Sequence, residues 1–210
     1  MDRSEHKGKL CIISGPSGAG KGTVCADILK RYPEFKLSVS ATTRPPRPGE
    51  EDGVNYFFLT REEFEKRIKE DGFIEWAEFC GNLYGTPKAN VEALLNDGID
   101  VILEIEAQGA LKVKKDFKDA VLFFVVPPTA LQLKERLTGR GTETEEKIKA
   151  RLSQAEWEFS QAENYKYILL NDKVEKATER FISIVKAEKY GVDKNTEFIN
   201  KFAQDLKNIK

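Results

Sequence analysis

An apolar run, Leu10 to Ile13, leads straight into "SGPSGAGKGT" at residues 14 to 23, and this stretch constrains the fold more than any other. Four of its ten residues are glycines: Gly15, Gly18, Gly20 and Gly22. Glycine loses more backbone entropy on folding than alanine does, so the run would make a poor helix or strand. A strand, then G-x-x-x-x-G-K from Gly15 to Lys21, then a helix is the arrangement in which backbone N–H groups and a helix N-terminus surround a phosphate chain. Side chains in place of the glycines would block the anion, and Lys21 sets a cation on the β and γ phosphates. The general motif carries Ser or Thr directly after the lysine to help hold Mg²⁺; here Gly22 intervenes and the hydroxyl belongs to Thr23.

Around this loop, short apolar runs alternate with amphipathic stretches of helical period, the pattern of βαβ units and a mostly parallel sheet. Strands are expected at 9 to 14, 36 to 41, 100 to 105, 120 to 126 and 166 to 170, with helices at 21 to 32, 107 to 116, 129 to 138, 143 to 163 and 173 to 189. The runs "DVILEI" and "AVLFFVV" are nearly continuous in apolar residues, as strands covered on both faces should be. At 210 residues the chain can form one core with small insertions. Two segments break the alternation. Residues 42 to 86 hold a Pro/Arg turn, a short strand, a helix opened by the capping box Thr60 and Glu63, and a second short strand. The other, "TGRGTETEE" at 138 to 146, is charged with few apolar anchors and reads as a mobile lid. In the tail, Phe198, Ile199, Phe202, Leu206 and Ile209 share one helical stripe, from which a helix covering part of the core is expected.

Composition excludes several function classes. Lys plus Arg (34) nearly cancels Asp plus Glu (35), so no global field points to nucleic acid or an acidic membrane. The N-terminus is polar and no apolar run reaches membrane-spanning length, so a cytoplasmic chain without a signal peptide is expected. Cys11, Cys25 and Cys80 show no pairing or zinc spacing and are expected as small buried fillers. The single histidine, His6, lies in the polar leader, which leaves neither a Ser-His-Asp nor a Cys-His mechanism available.

Four further stretches narrow the class: "SVSATTRPPRPGEEDGVNYFF" at 38 to 58, "FIEWAEFCGNLYGTP" at 73 to 87, "ILEIEAQG" at 102 to 109 and "LKERLTGRGTETEEKIKARL" at 133 to 152. Together with the phosphate loop they closely resemble guanylate kinases over about residues 9 to 190, in the right order. The resemblance implies an α/β fold: a P-loop NTPase-type parallel-sheet core with a small GMP-binding αβ insertion and a lid. On that pattern the core takes 1–37, 88–127 and 160–210 (with a C-terminal helix at 191–210), the GMP-binding region 38–87 and the lid 128–159. The G-K-G-T form is familiar in nucleoside monophosphate kinases, where water supplies much of the Mg²⁺ shell.

The resemblance also implies roles. Gly15, Pro16, Ser17, Gly18, Ala19, Gly20, Lys21, Gly22 and Thr23 would hold ATP, with Arg136 stacked on its adenine and Asn171 nearby. Arg44, Arg47, Tyr56 and Tyr84 would hold the phosphate of GMP, the arginines offering a planar fork and the tyrosines an uncharged donor. Glu75 would accept from guanine N1–H and the 2-amino group, with Ser38 and Thr86 as hydroxyl partners and Glu50 beside the site. Thr86 before Pro87 and "KANVEALL" also reads as a helix N-cap. Glu104 and Glu106, expected on one face at a strand's C-terminal end and counted among the GMP-binding residues, stand where the family usually has aspartates. Arg140 and Arg151 would close on the phosphates being transferred, and with Lys21 and Arg44 they form the expected catalytic set.

The implied activity is transfer of the γ-phosphoryl of Mg-ATP to GMP, with dGMP as a further acceptor. The Mg²⁺ would be carried mainly by ATP phosphates and water, with Thr23 as a possible ligand. The competing reading is an inactive member of the same family serving as a protein-binding module. Such modules typically have a degraded phosphate loop or lack lid arginines, whereas Lys21, Arg44, Arg47, Arg140 and Arg151 are all present here. A kinase for AMP or UMP could share the loop, but Glu75 with two hydroxyls argues for guanine.

Overall fold

A computed structural model describes residues 7–79, 81–138 and 145–209. In chain order the elements are β1 (Leu10–Ser14), α1 (Lys21–Arg31), β2 (Phe35–Leu37), β3 (Ala41–Thr42), β4 (Phe57–Phe58) and α2 (Arg61–Lys69). There follow β5 (Phe73–Phe79), β6 (Asn82–Pro87), α3 (Lys88–Asn96), β7 (Asp100–Glu104), α4 (Ala107–Asp116) and β8 (Val121–Val126). The chain ends with α5 (Ala130–Thr138), α6 (Glu145–Ser160), β9 (Tyr167–Leu170), α7 (Val174–Lys189) and α8 (Thr196–Asn208).

The apolar runs pair as a five-stranded sheet in the order β2-β7-β1-β8-β9, and every neighbouring pair is parallel. Side chains alternate across a strand, so each run feeds two cores at once. Cys11, Ile13, Phe123 and Val125 pack with Val24 and Ile28 of α1 and Phe181 and Val185 of α7 on one face. Leu10, Ile12, Leu122 and Phe124 pack with Val91 of α3 and Val113 of α4 on the other. Burial on both faces is why these strands read as unbroken apolar runs. Cys11 and Cys25 are buried free thiols, as expected, and burial pushes both well above the usual thiol range; Cys80 lies outside the described residues.

Asp100, at the start of β7, is a charged residue that the core must accommodate. It is 2% exposed, accepts from Lys9 N–H at 2.8 Å, and receives the Lys189 ammonium at 2.6 Å. Asp100→Asn keeps the shape and removes the charge. A charge-assisted hydrogen bond contributes about 1.5 to 3 kcal/mol, so a melting temperature several degrees lower is expected by calorimetry.

The expected strand at 36 to 41 is two strands in two sheets. Phe35–Leu37 pairs with β7, and Ser38 N–H still reaches Ile102 O at 2.9 Å, but Ala41–Thr42 has crossed to a second sheet ordered β4-β3-β6-β5. Leu37, Val39 and Ala41 alternate without a Gly or Pro between them, so nothing local marks the crossing. In the second sheet β3 runs parallel to β4 and antiparallel to β6, and β5 pairs antiparallel with β6. Its separate core is Ala41, Phe64, Phe73 and Leu83, with Phe64 and Phe73 stacked at 4.2 Å. The capping box is present: Glu63 N–H donates to Thr60 Oγ1 at 3.2 Å, and Thr60 N–H donates back to Glu63 at 2.8 Å.

The tail corrects a second expectation. Helix α8 forms, but it covers no core: Phe198, Ile199, Phe202, Leu206 and Ile209 are 42% to 80% exposed, and none of its residues is buried. The stripe reports an amphipathic helix and carries no information about what the helix packs on. Deleting residues 196–210 is therefore expected to shift the melting temperature by less than about 2 °C, since surface changes stay within about 0.5 kcal/mol. A drop of 5 °C or more would show that α8 contributes to the folded core.

Candidate active site

Residues 15 to 20 leave β1 at the carboxyl edge of the parallel sheet, where ligands bind in open α/β folds. Gly15 has φ 140°, and a Cβ there would meet Val125 O at 2.4 Å. Gly20 has φ 89° as the N-cap of α1, and a Cβ there would meet Asn171 Nδ2 at 2.4 Å. Both positions thus exclude any side chain. Asn171, buried at the end of β9, donates to Ala19 O at 2.8 Å and so braces the loop from across the sheet. Lys21 Nζ donates to Gly15 O at 2.5 Å, and the first turn of α1 carries no acidic residue. The positive end of the helix and an ammonium converge there, the arrangement that favours an anion. Thr23 is exposed in the same turn.

Helices α5 and α6 lean over this loop. Their own small core is Leu133, Leu137 and Ala155, and a methyl on Gly18 would lie 3.1 Å from Leu137. Arg136 Nη1 reaches Ala19 O and Nη2 reaches Asn171 O, both at 3.4 Å, while Arg151 Nη2 donates to Ser17 Oγ at 2.7 Å. Arg136, Arg151 and Asn171 thus all contact the loop. Arg140 and most of the 138 to 146 segment lie outside the described residues, as does His6.

The second sheet builds another polar cluster. Arg44 Nη2 donates to Glu50 Oε1 at 2.8 Å, and Glu50 Oε2 accepts Arg47 N–H at 2.7 Å, so Glu50 organises the Pro/Arg turn. The Arg44 guanidinium holds the Glu50 carboxyl below the usual carboxylate range. Arg44 also lies 5.5 Å from the centre of the Tyr56 ring, and Tyr56 meets Tyr84 edge-on at 6.2 Å. Arg47 itself is exposed.

Beside this cluster, Thr86 Oγ1 donates to Glu75 Oε1 at 2.7 Å. Burial raises the Glu75 carboxyl above its usual range, opposed by that hydroxyl and by Lys112. Thr86 does not cap α3, as its sequence context suggested: Pro87 takes the N-cap position with no side-chain bond, and the Thr86 hydroxyl is committed to Glu75. Ser38 Oγ is buried with no hydrogen-bond partner. A buried hydroxyl left so is costly unless something else meets it.

Glu104 ends β7, but Glu106 lies beyond the strand as the N-cap of α4, in extended conformation (φ −69°, ψ 159°). Glu104 borders the loop, where a methyl on Gly22 would lie 3.5 Å from its Oε1. One turn after Glu106, a methyl on Gly109 would lie 3.1 Å from Glu75 Oε2. Helix α4 thus connects the two halves of the crevice. Sequence reasoning did not single out Gly109, although a glycine inside a helix, about 1 kcal/mol worse than alanine, was a signal. It also passed over Glu158, which is 1% exposed and follows Leu152 and Ala155 on the buried side of α6.

A parallel sheet with a glycine-lined anion site at its carboxyl edge, an inserted second sheet and arginines leaning in from a helical flap define a P-loop protein of the nucleoside monophosphate kinase type. The guanylate kinase family profile matches residues 7–188. A guanylate kinase of Desulfitobacterium hafniense is 52% identical over 185 residues, spanning 88% of this chain and 92% of that protein. One from Thermus thermophilus is 52% identical over 183 residues, spanning 87% and 83%. The crystal structure of guanylate kinase from Anaplasma phagocytophilum superposes with a TM-score of 0.70 at 32% identity and covers 90% of each chain. The chain belongs to the guanylate kinase family.

Proposed function

We propose that this chain transfers the γ-phosphoryl of Mg-ATP to GMP, and to dGMP, giving ADP and the corresponding diphosphate in the cytoplasmic purine nucleotide pool. The observation that carries the reading is Glu75. It is a half-buried carboxylate already bound by Thr86, near the Arg44, Tyr56 and Tyr84 cluster, on a sheet separate from the phosphate loop. A carboxylate accepts from both guanine N1–H and the 2-amino group. Adenine offers an unprotonated N1 instead, and a mismatch of that kind discriminates by roughly 10⁴. The unpartnered Ser38 hydroxyl adds a donor or acceptor for the base.

A phosphate oxygen of GMP is already anionic and needs no strong general base, which suits a site with no histidine among the described residues. Catalysis then rests on alignment and on charge stabilisation. Lys21, Arg140 and Arg151 would supply positive charge around the transferred group, and Arg44, Arg47 and Tyr84 would anchor the acceptor. Arg136 and Asn171 would flank the adenine. Among the described residues no cluster of three His, Cys, Asp or Glu forms a metal cage. Mg²⁺ keeps much of its water and substrate phosphate as ligands. The exposed Thr23 hydroxyl is the oxygen donor this chain would add, and the bound ion neutralises charge on the phosphates. On this reading 38–87 acts as the acceptor region and 128–159 as the lid over a core of 1–37, 88–127 and 160–210.

The direct test is ADP release from Mg-ATP with GMP, dGMP, AMP, UMP and dTMP offered in parallel. Turnover confined to GMP and dGMP is expected. Folded protein with no turnover on any acceptor would favour the binding-module reading, and turnover on AMP or UMP would overturn the role of Glu75.

A further inference from the structure

One buried titratable side chain takes no part in the function proposed above. Glu158 lies near the end of lid helix α6, is 1% exposed, and its Oε2 has no hydrogen-bond partner. Gln154, one turn earlier, bonds its carboxyl, and Glu106 at the N-cap of α4 stands within hydrogen-bonding reach of it from the core. Two further groups lie close enough to couple to its charge: Lys21, from the first turn of α1, and Tyr165, in the turn before β9. The hydroxyls of Tyr165 and of Ser14, the last residue before the phosphate loop, are also buried without a good hydrogen bond. A lid carboxylate therefore meets a core carboxylate where the loop begins.

Two carboxylates at this range, one of them out of water, cannot both stay charged. A proton held between them removes one charge and turns the contact into a hydrogen bond. Burial first, and the Glu106 carboxyl second, push Glu158 up to about 7, while Lys21 and Gln154 pull it back.

We propose that Glu158 is a positioning residue that works through this proton: as the acid it donates to Glu106, seats α6 on the rim of the phosphate site, and gains proton occupancy when nucleotide phosphates engage Lys21. The last step rests on the reading of the loop as the ATP site. Lys21 is the cation that favours ionised Glu158, and phosphates both neutralise it and add negative charge nearby. The bound state then holds more protons than the free state, so by linkage nucleotide affinity falls as pH rises through neutrality.

The experiment is calorimetric titration of the full chain with Mg-ATP, without acceptor, at pH 7 in PIPES and in Tris, whose ionisation enthalpies differ widely. Comparison of the two heats counts the protons exchanged. Wild-type protein is expected to take up roughly 0.3 proton per nucleotide more than Glu158→Gln, which keeps the hydrogen-bond donor and cannot titrate. Equal proton exchange in the two proteins, with nucleotide bound, overturns the inference while leaving the phosphate site intact. No binding by either protein overturns the phosphate-site reading and this inference with it. Should Glu158→Gln fail to fold, wild-type protein decides alone: its Kd for Mg-ATP is expected to rise about threefold between pH 6.5 and 8, and a flat profile overturns the inference.

Discussion

Replacing Lys21 with alanine is expected to lower kcat for GMP phosphorylation by about 10² to 10³, the loss typical of removing one preorganised electrostatic group from a reaction that develops charge. The variant should keep its fold. The loop's shape comes from positive-φ glycines and from Asn171 bound to Ala19 O, whereas Lys21 contributes hydrogen bonds to Gly15 O and Pro16 O at its surface. Melting temperature and turnover are therefore expected to separate, the first nearly unchanged and the second collapsed. Near-normal turnover in a folded Lys21→Ala protein would remove the lysine from the chemistry.

The second large effect is expected at Glu75. In Glu75→Gln the side-chain oxygen can still accept from Thr86, but the acceptor that would face guanine becomes an NH₂ aimed at two donors. Losing a charge-assisted hydrogen bond in a half-buried site costs about 3 kcal/mol, so KM for GMP should rise about 10²-fold while KM for ATP moves less than about twofold. The pH dependence supplies a second check. Burial raises the Glu75 carboxyl, and on the proposed role guanine binds its ionised form, so KM for GMP should climb as pH falls through that raised value. The Gln variant has nothing to titrate there and should lose this acid limb. Equal losses for both nucleotides would mean that Glu75 supports the fold rather than reading the base.

Much of the core was legible because its signals are local. β1, β7, β8 and β9 match the apolar runs within a residue or two, since burial on both faces writes itself into each strand. Helix α2 announced itself through Thr60 and Glu63. The second sheet was hard for the opposite reason. β6, "NLYGTP", draws half of its residues from the turn-formers Asn, Gly and Pro and exists because β3 and β5 flank it. The outward stripe of α8 could not be told from a buried one, because amphipathicity records a preference and not its satisfaction. At the site, the named motifs drew attention to their own residues, whereas Gly109 borders Glu75 and Glu158 lies near Glu106 only in space, proximities that separation along the chain conceals.

The second sheet is a contiguous insertion that leaves the core after Leu37 and rejoins it at Lys88, where β6 passes into α3 without an intervening loop. On the proposed roles, nearly everything that reads the acceptor base and phosphate lies within this interval, and everything that grips the donor lies outside it. Donor chemistry and acceptor choice are thus written in separate stretches of sequence. Substitutions accumulating between residues 38 and 87 can retune which monophosphate is accepted while the phosphate loop stays fixed. The same frame can in this way be inherited by kinases of different preference, the flanks constant and the insert free to diverge.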